Sequence, residues 1–245
     1  MIMEKEITSK NNALIKDLAK LTIKKYRKEQ NLVLVEGERF ISDLIARGVQ
    51  IKYLLYRQKP AFAQNLDIEQ ILCSEEVLNC LTQTVNSSQI VGVARLTAKT
   101  FRLPESRFLI LDRVADPGNL GTIIRTALAL GYKDIYMYNC VDWTNDKVLR
   151  STMGTIADVN LFETSINDLQ RLKRFKIFNA DTNGTDIDNI TKPNGVFGII
   201  LGNEANGASE EISSLASKNV SIKMQNAVES LNVAIAGAIV MSKLI

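Results

Sequence analysis

Apolar and polar positions alternate along the 245 residues in two series of strands and helices. In the first series the continuous apolar run Leu32-Val-Leu-Val35 reads as a buried strand. It is followed by the turn Glu36-Gly37 and a helix over 39–47 that stops at Gly48. Residues 51–56, 68–72 and 90–94 read as further strands, and 74–81 as a capped helix. A helix over 8–21, with Leu14, Leu18 and Leu21 on one side, precedes them. In the second series, apolar strands at 108–111, 134–138, 159–162, 176–179, 196–201 and 220–224 alternate with helical stretches. That alternation predicts a mainly parallel sheet covered by helices on both faces. The polar run 98–106 separates the series and carries one of only four prolines. The expected organisation is therefore α/β throughout, with a small domain at 1–97, a linker at 98–106 and a second domain at 107–245.

The second series opens on Asp112-Arg-Val-Ala-Asp-Pro-Gly-Asn-Leu-Gly-Thr-Ile-Ile-Arg-Thr-Ala127, where a buried strand turns into an amphipathic helix. The turn gathers a side-chain amide (Asn119), free backbone N–H groups and a guanidinium (Arg125), a volume suited to a phosphate or a ribose. Two readings stand side by side from these residues alone. Asn119 is either a helix cap or a ligand-binding amide, and Arg125 either a solvated helix residue or part of a site.

Composition narrows the chemistry. The chain contains no histidine, which excludes a histidine general base, a Ser-His-Asp triad and most zinc sites. No metal is expected. Any reaction must use carboxylate, amide, hydroxyl or arginine groups, or a cofactor. Three cysteines without C-x-x-C spacing, and no apolar leader, point to a reducing cytoplasm. The longest apolar segment, 231–245, is too short to span a bilayer and is interrupted by Asn232 and Lys243, so no membrane association is expected. Net charge is only +3, yet residues 1–30 carry eight Lys/Arg against four Asp/Glu, so the rest of the chain is close to neutral. Lys24-Lys-Tyr-Arg-Lys28 lies in that basic end. Its lysines and Arg27 read as a solvated face or as phosphate contacts. Neither a Walker A nor a G-x-G-x-x-G motif is present.

Two later stretches decide between these readings. Gly198-Ile-Ile-Leu-Gly-Asn-Glu-Ala-Asn-Gly207 is a buried strand entering a glycine-rich turn. Val220-Ser-Ile-Lys-Met-Gln-Asn-Ala-Val-Glu-Ser-Leu-Asn-Val-Ala234 is a short strand, a loop and the start of the last helix. Together with the stretch at 112–127, they resemble in order and spacing the three motifs of the SpoU (TrmH-like) RNA ribose 2′-O-methyltransferases of the SPOUT superfamily. The resemblance covers about the last 140 residues. One departure is visible: the third motif usually reads Ile-Pro-Met, and Lys223 replaces the proline, which bears on the rigidity of that loop. More loosely, the opening residues with Val35-Glu-Gly-Glu-Arg-Phe40 resemble the L30e-like substrate-binding domain that precedes many SpoU catalytic domains.

The resemblance implies a carboxyl-terminal trefoil knot, which general topology rules would not suggest. It implies S-adenosylmethionine as cofactor, lined by positions matching Leu201, Gly202, Asn203, Ile222, Met224 and Leu231. Read without it, Ile222 and Leu231 are simply core. Asn119, Arg125, Glu204, Ser230 and Asn232 match the polar residues assigned to catalysis and RNA binding. On residues alone, Ser230 reads as a cap of the last helix and Glu204 as a surface carboxylate. RNA contacts are expected at Lys24, Lys25, Arg27, Lys28 and Arg39. The implied activity is methyl transfer to a ribose 2′-hydroxyl in structured RNA, ribosomal RNA ahead of transfer RNA, by a homodimer joined through its carboxyl-terminal domain. A transfer-RNA methyltransferase, a non-catalytic RNA-binding or assembly protein of the same fold, and more remotely a small-molecule methyltransferase are the alternatives.

Overall fold

The structure is a computed structural model that describes residues 5–64, 66–82, 89–225 and 230–245. The chain packs as two compact units. One comprises Met1–Thr97 with Thr144–Ala157, and the other Ala98–Trp143 with Asp158–Ile245.

In the first unit the strands are β1 (Lys5–Ile7), β2 (Leu32–Glu36), β3 (Ile51–Tyr56), β4 (Glu69–Cys73) and β5 (Ile90–Arg95), in spatial order β1-β4-β3-β5-β2. The β1–β4 and β3–β4 pairs are parallel, and β5 runs antiparallel to both β2 and β3. Helices α1 (Ala13–Ala19), α2 (Lys24–Gln30), α3 (Glu38–Ala46) and α4 (Glu75–Asn79) surround this sheet, and a later segment, α6 (Asp146–Thr152), belongs to the same unit. Ile15, Leu18, Leu21, Leu55, Ile71, Val77 and Val93 form its core. Arg27, midway along α2, reaches back to the short turn that follows α1. It is 8% exposed, and its guanidinium donates to Leu21 O (2.9 Å), Thr22 O (2.8 Å) and Thr144 Oγ1 (2.9 Å). Arg27 is therefore a structural clamp inside this unit, which corrects its assignment as a phosphate contact: a guanidinium buried on these acceptors has little surface left for RNA. Lys24, Lys25, Lys28 and Arg39 are exposed.

The second unit is a six-stranded sheet, wholly parallel, built from β6 (Phe108–Asp112), β7 (Asp134–Tyr138), β8 (Asn160–Glu163), β9 (Lys176–Asp186), β10 (Phe197–Leu201) and β11 (Lys218–Ser221). The order is β11-β9-β10-β6-β7-β8. Helices α5 (Pro117–Ala129), α7 (Ile166–Gln170), α8 (Glu210–Ser213) and α9 (Val233–Lys243) complete it. Every residue of β6 is buried, as a central parallel strand with both faces covered requires. Phe108 and Ile110 join Tyr136, Phe162, Ile177 and Ile200 on one side. Another aromatic group comprises Tyr132, Phe178 and Phe197, and the Tyr132 hydroxyl donates to Met241 O of α9 (3.3 Å). Gly237 lets α9 settle on the sheet: a Cβ there would fall 2.6 Å from Leu201 Cδ1.

Strand order reverses at β6. From it the chain moves to β7 and β8 on one side, then returns to fill β10, β9 and β11 on the other. The carboxyl ends of β6 and β10 are in register, Leu111 beside Leu201, so the loops that follow them diverge from neighbouring points. Such a switch point is where open α/β sheets bind ligands. Several elements differ from the sequence expectation: β1 has no counterpart in it, β11 spans Lys218–Ser221 rather than 220–224, and residues 144–157 belong to the first unit rather than to a domain at 107–245. β9 runs on to Asp186 through polar residues, and α2 is a helix although its sequence carries no apolar stripe.

Candidate active site

The Asp112–Asp116 corner is fixed from both ends. The buried Asp112 carboxylate accepts from Ser209 N (2.6 Å) and from Arg113 Nε (3.2 Å). Arg113 takes φ of +56°, a conformation non-glycine residues seldom adopt, and this turns the chain out of β6. Asp116 then caps α5, its Oδ1 accepting from Asn119 N (2.8 Å), with Pro117 at the first helical position where a missing N–H costs nothing. Asn119 is therefore not the cap. It lies in the first turn with its side chain free for other work.

That side chain bridges two distant stretches. Asn119 Nδ2 donates to Glu204 Oε1 (2.9 Å), and Asn119 Oδ1 accepts from Asn232 Nδ2 (2.9 Å). Glu204 also receives the backbone N–H groups of Ala115 (3.3 Å) and Asp116 (3.2 Å). Beside it Asn203 donates to Arg113 O (2.9 Å), while its Oδ1 accepts from Ala205 N and Asn206 N and so closes the 203–207 turn. At the other end, Asn232 Oδ1 caps α9 through Ala234 N (2.9 Å) and Ile235 N (3.3 Å). The role expected on residues alone for Ser230, capping of the last helix, belongs to Asn232.

The direction of this amide chain is set by the helix. The N-terminal N–H groups of α9 can only donate, so Asn232 must turn its oxygen to them and its NH2 outward. Asn119 must then accept with its oxygen and present its NH2 to Glu204, which as a carboxylate can only accept. One helix end thus sets the orientation of two amides from separate stretches of the chain and matches them to the Glu204 carboxylate.

Burial alone raises the Glu204 pKa, but hydrogen bonds from Asn119 and from the backbone N–H groups of Glu204, Asp116 and Ala115 outweigh it. The carboxyl is held below its ordinary value. Burial pushes the Cys73 and Cys140 thiols up to about 11 and about 12, so neither supplies a thiolate near neutral pH.

Next to this network opens a cleft of about 480 Å³, within the range of small-molecule sites. Leu201, Gly202, Asn203, Ile222, Met224 and Leu231 all line it, as do Glu204 and Ser230. Val220, Val233, Ala236 and Val240 add apolar wall that the sequence reading did not single out, and Ala180–Asn183 a polar one. Gly202 is a position where a side chain has no room: a Cβ would lie 2.0 Å from Ala208 N and 2.1 Å from Gly207 C. The backbone strands of the turn therefore lie against one another at the cleft edge. Arg125 is exposed on α5 and makes no hydrogen bond or ion pair among the described residues, so the network does not draw it in. No group of residues able to hold a metal ion is found among the described residues, and none of the helices there is long and apolar enough to cross a membrane.

Residues 106–242 match the model of the SpoU rRNA methylase family. The chain belongs to that family. Residues 12–92 match the MRM3-like substrate binding domain. The chain is 30% identical over 242 residues to the 23S rRNA (guanosine(2553)-2′-O)-methyltransferase RlmP of Bacillus subtilis, covering 96% of this chain and 97% of that protein. It is also 30% identical over 144 residues to the human mitochondrial rRNA methyltransferase 3, covering 53% of this chain and 34% of that one. The crystal structure of an AdoMet-bound rRNA methyltransferase from Sinorhizobium meliloti superposes with a TM-score of 0.88 at 29% identity, over 98% of this chain and 97% of that one. As a SpoU methylase the chain is an RNA methyltransferase that uses S-adenosylmethionine. Its cleft fits that cofactor in the aliphatic wall suited to an adenine ring and in the close-packed turn at its edge, where Gly202 lies against Gly207 and Ala208.

Proposed function

We propose that the chain methylates a ribose 2′-hydroxyl of structured ribosomal RNA. The observation that carries this reading is the Glu204–Asn119–Asn232 chain, which links residues of the three motifs beside the cofactor cleft. The rRNA specificity of RlmP, at full-length similarity, supports rRNA over tRNA.

S-adenosylmethionine, when bound, supplies an activated methyl carbon, so the chain's own residues need only position and stabilise. Leu201, Ile222, Met224 and Leu231 hold the cofactor's apolar face, and Gly202 and Asn203 offer it backbone. Ser230 lines the cleft and is exposed, so it is available to a ribose hydroxyl. Arg125 is permanently cationic and exposed, one to two turns along α5 from Asn119. We assign it the ribose and an adjoining phosphate, with charge stabilisation of the developing alkoxide. Glu204, with its pKa lowered and its oxygens already accepting, is a poor base, so the 2′-proton passes to water as the methyl group is transferred. Lys24, Lys25, Lys28 and Arg39 form the exposed basic part of the first unit and serve as phosphate contacts. The working form is a cytoplasmic homodimer joined through the second unit, with a knotted carboxyl-terminal segment as the family resemblance implies.

The test is methylation with radiolabelled S-adenosylmethionine of total rRNA and tRNA from a strain lacking the gene, followed by mapping of the labelled nucleotide. Label at one 2′-O-methylribose in rRNA is expected. Label confined to tRNA would overturn the substrate assignment, and absence of both label and cofactor binding would overturn the enzymatic reading. Arg125→Lys is expected to lower turnover more than tenfold while leaving cofactor affinity unchanged. Equal losses in both would remove Arg125 from the ribose.

A further inference from the structure

The cleft carries a charge balance that the roles above leave unused. Its ionisable lining among the described residues is Asp181 and Glu204, with no lysine or arginine. Glu204 is engaged with Asn119 and two backbone N–H groups. Asp181 is engaged only within its own turn, where Oδ1 accepts from Asn183 N (2.8 Å); its Oδ2 has no partner among the described residues.

The sheet itself brings Asp181 to the cleft. The last pair between β9 and β10 is Asn179 with Ile200, after which β10 gives way to the turn at Gly202. Against β11 the register jumps, Asn219 facing Asn179 and the next residue, Val220, facing Thr185. Residues 180–184 therefore pair with neither neighbour. They form an excursion that returns to the sheet at Gly184, where a Cβ would lie 2.5 Å from Val220 N. A bulge of this kind re-aims side chains beside a site, and here it contributes Ala180, Asp181, Thr182 and Asn183 to the cleft wall.

We propose that Asp181 is the counter-charge by which the cleft distinguishes the cationic methyl donor from its neutral product. This rests on the reading of the cleft as the S-adenosylmethionine site. At neutral pH the donor carries a sulfonium, an ammonium and a carboxylate, net +1. Transfer breaks the S–CH3 bond, returns its electron pair to sulfur, forms the O–CH3 bond and releases the hydroxyl proton, leaving a product of net zero. Two fixed carboxylates and no cation in a partly desolvated cleft favour the first over the second. Asp181 thus contributes specificity and product release rather than chemistry on the ribose.

The test measures binding by titration calorimetry on the full chain with three probes. These are S-adenosylmethionine, the neutral S-adenosylhomocysteine, and sinefungin, which bears an amine in place of the sulfonium. D181N is expected to weaken the two cationic probes about tenfold and the neutral one less than threefold, and D181E to recover most of the loss. In the unmodified protein, added salt is expected to weaken the cationic probes more than the neutral one, a readout that does not depend on any variant folding. Equal losses for all three probes, no loss, or identical salt dependence would overturn the proposal. Failure of the unmodified protein to bind any probe would overturn the cofactor reading itself.

Discussion

Asn232 holds two jobs in one side chain, and substitution can separate them. Its oxygen caps α9 through Ala234 N and Ile235 N, while its nitrogen orients Asn119. Asn232→Ala removes both. The lost cap costs about 1 kcal/mol and the lost amide bond about 0.5–1.5 kcal/mol. With roughly 2–4 °C per kcal/mol for a chain of this size, the melting temperature should fall by about 3–10 °C. Asn232→Asp keeps an oxygen at the cap and adds a negative charge at the helix N-terminus, worth about 0.3–1 kcal/mol. It also sets a carboxylate against Asn119 Oδ1, two acceptors face to face. Asn119 cannot rotate its NH2 toward this new carboxylate without turning its oxygen onto that of Glu204, so the network loses its order whichever way it settles. The aspartate variant should therefore melt within about 2 °C of the unmodified protein, because the new helix charge offsets the acceptor clash. It should bind S-adenosylmethionine within about threefold and lose about 10- to 100-fold in single-turnover methylation, the penalty of misplaced reacting groups. Unchanged turnover in Asn232→Asp, or the same fall in melting temperature for both variants, would refute the division of labour.

Because hydrogen bonding lowers the folded-state pKa of Glu204, its carboxylate contributes stability that is fully present above the ordinary value of 4.5 and lost as pH falls through the lowered one. The gap in melting temperature between the unmodified protein and Glu204→Gln should therefore be flat near neutrality and close on acidification, as thermal scans across pH would record. Gly202→Ala places a methyl on the backbone of Gly207 and Ala208, so the turn must open. Calorimetry should show more than a tenfold loss of cofactor affinity and melting a destabilisation of about 1–3 kcal/mol. In RNA binding across a salt series, the triple change Lys24→Ala, Lys25→Ala, Lys28→Ala should flatten the log–log slope by about 2–3, at roughly 0.7–0.9 per phosphate contact. Arg27→Lys should leave that slope alone and lower the melting temperature, since its guanidinium is buried on Leu21, Thr22 and Thr144.

The strands were legible because burial on both faces leaves runs such as Phe108–Asp112 and Phe197–Leu201 almost wholly apolar. Where a different force holds an element, the pattern is silent. Helix α2 carries Lys24, Lys25, Arg27, Lys28 and Glu29 and is anchored by a buried guanidinium rather than by an apolar stripe. The second half of β9 is polar because it serves the cleft wall more than the core. In the site, motif spacing named Asn119, Glu204 and Asn232, but not which residue caps which helix. Asp116 before Pro117 is the combination that preference rules would have chosen as cap. The contacts joining the three stretches, 85 and 113 residues apart in sequence, arise only when β6 and β10 lie side by side.

The membership of residues 144–157 in the first unit has a consequence for synthesis. The polypeptide leaves that unit after Thr97, lays down β6, α5 and β7, and then returns with α6 before completing the second sheet. Thr144, an acceptor for Arg27, is made 117 residues after it. A chain ending at residue 97 would therefore lack the Thr144 acceptor of Arg27 and leave its buried charge less well satisfied. During synthesis the first unit therefore gains its last helix only after β6, α5 and β7 of the second have been made.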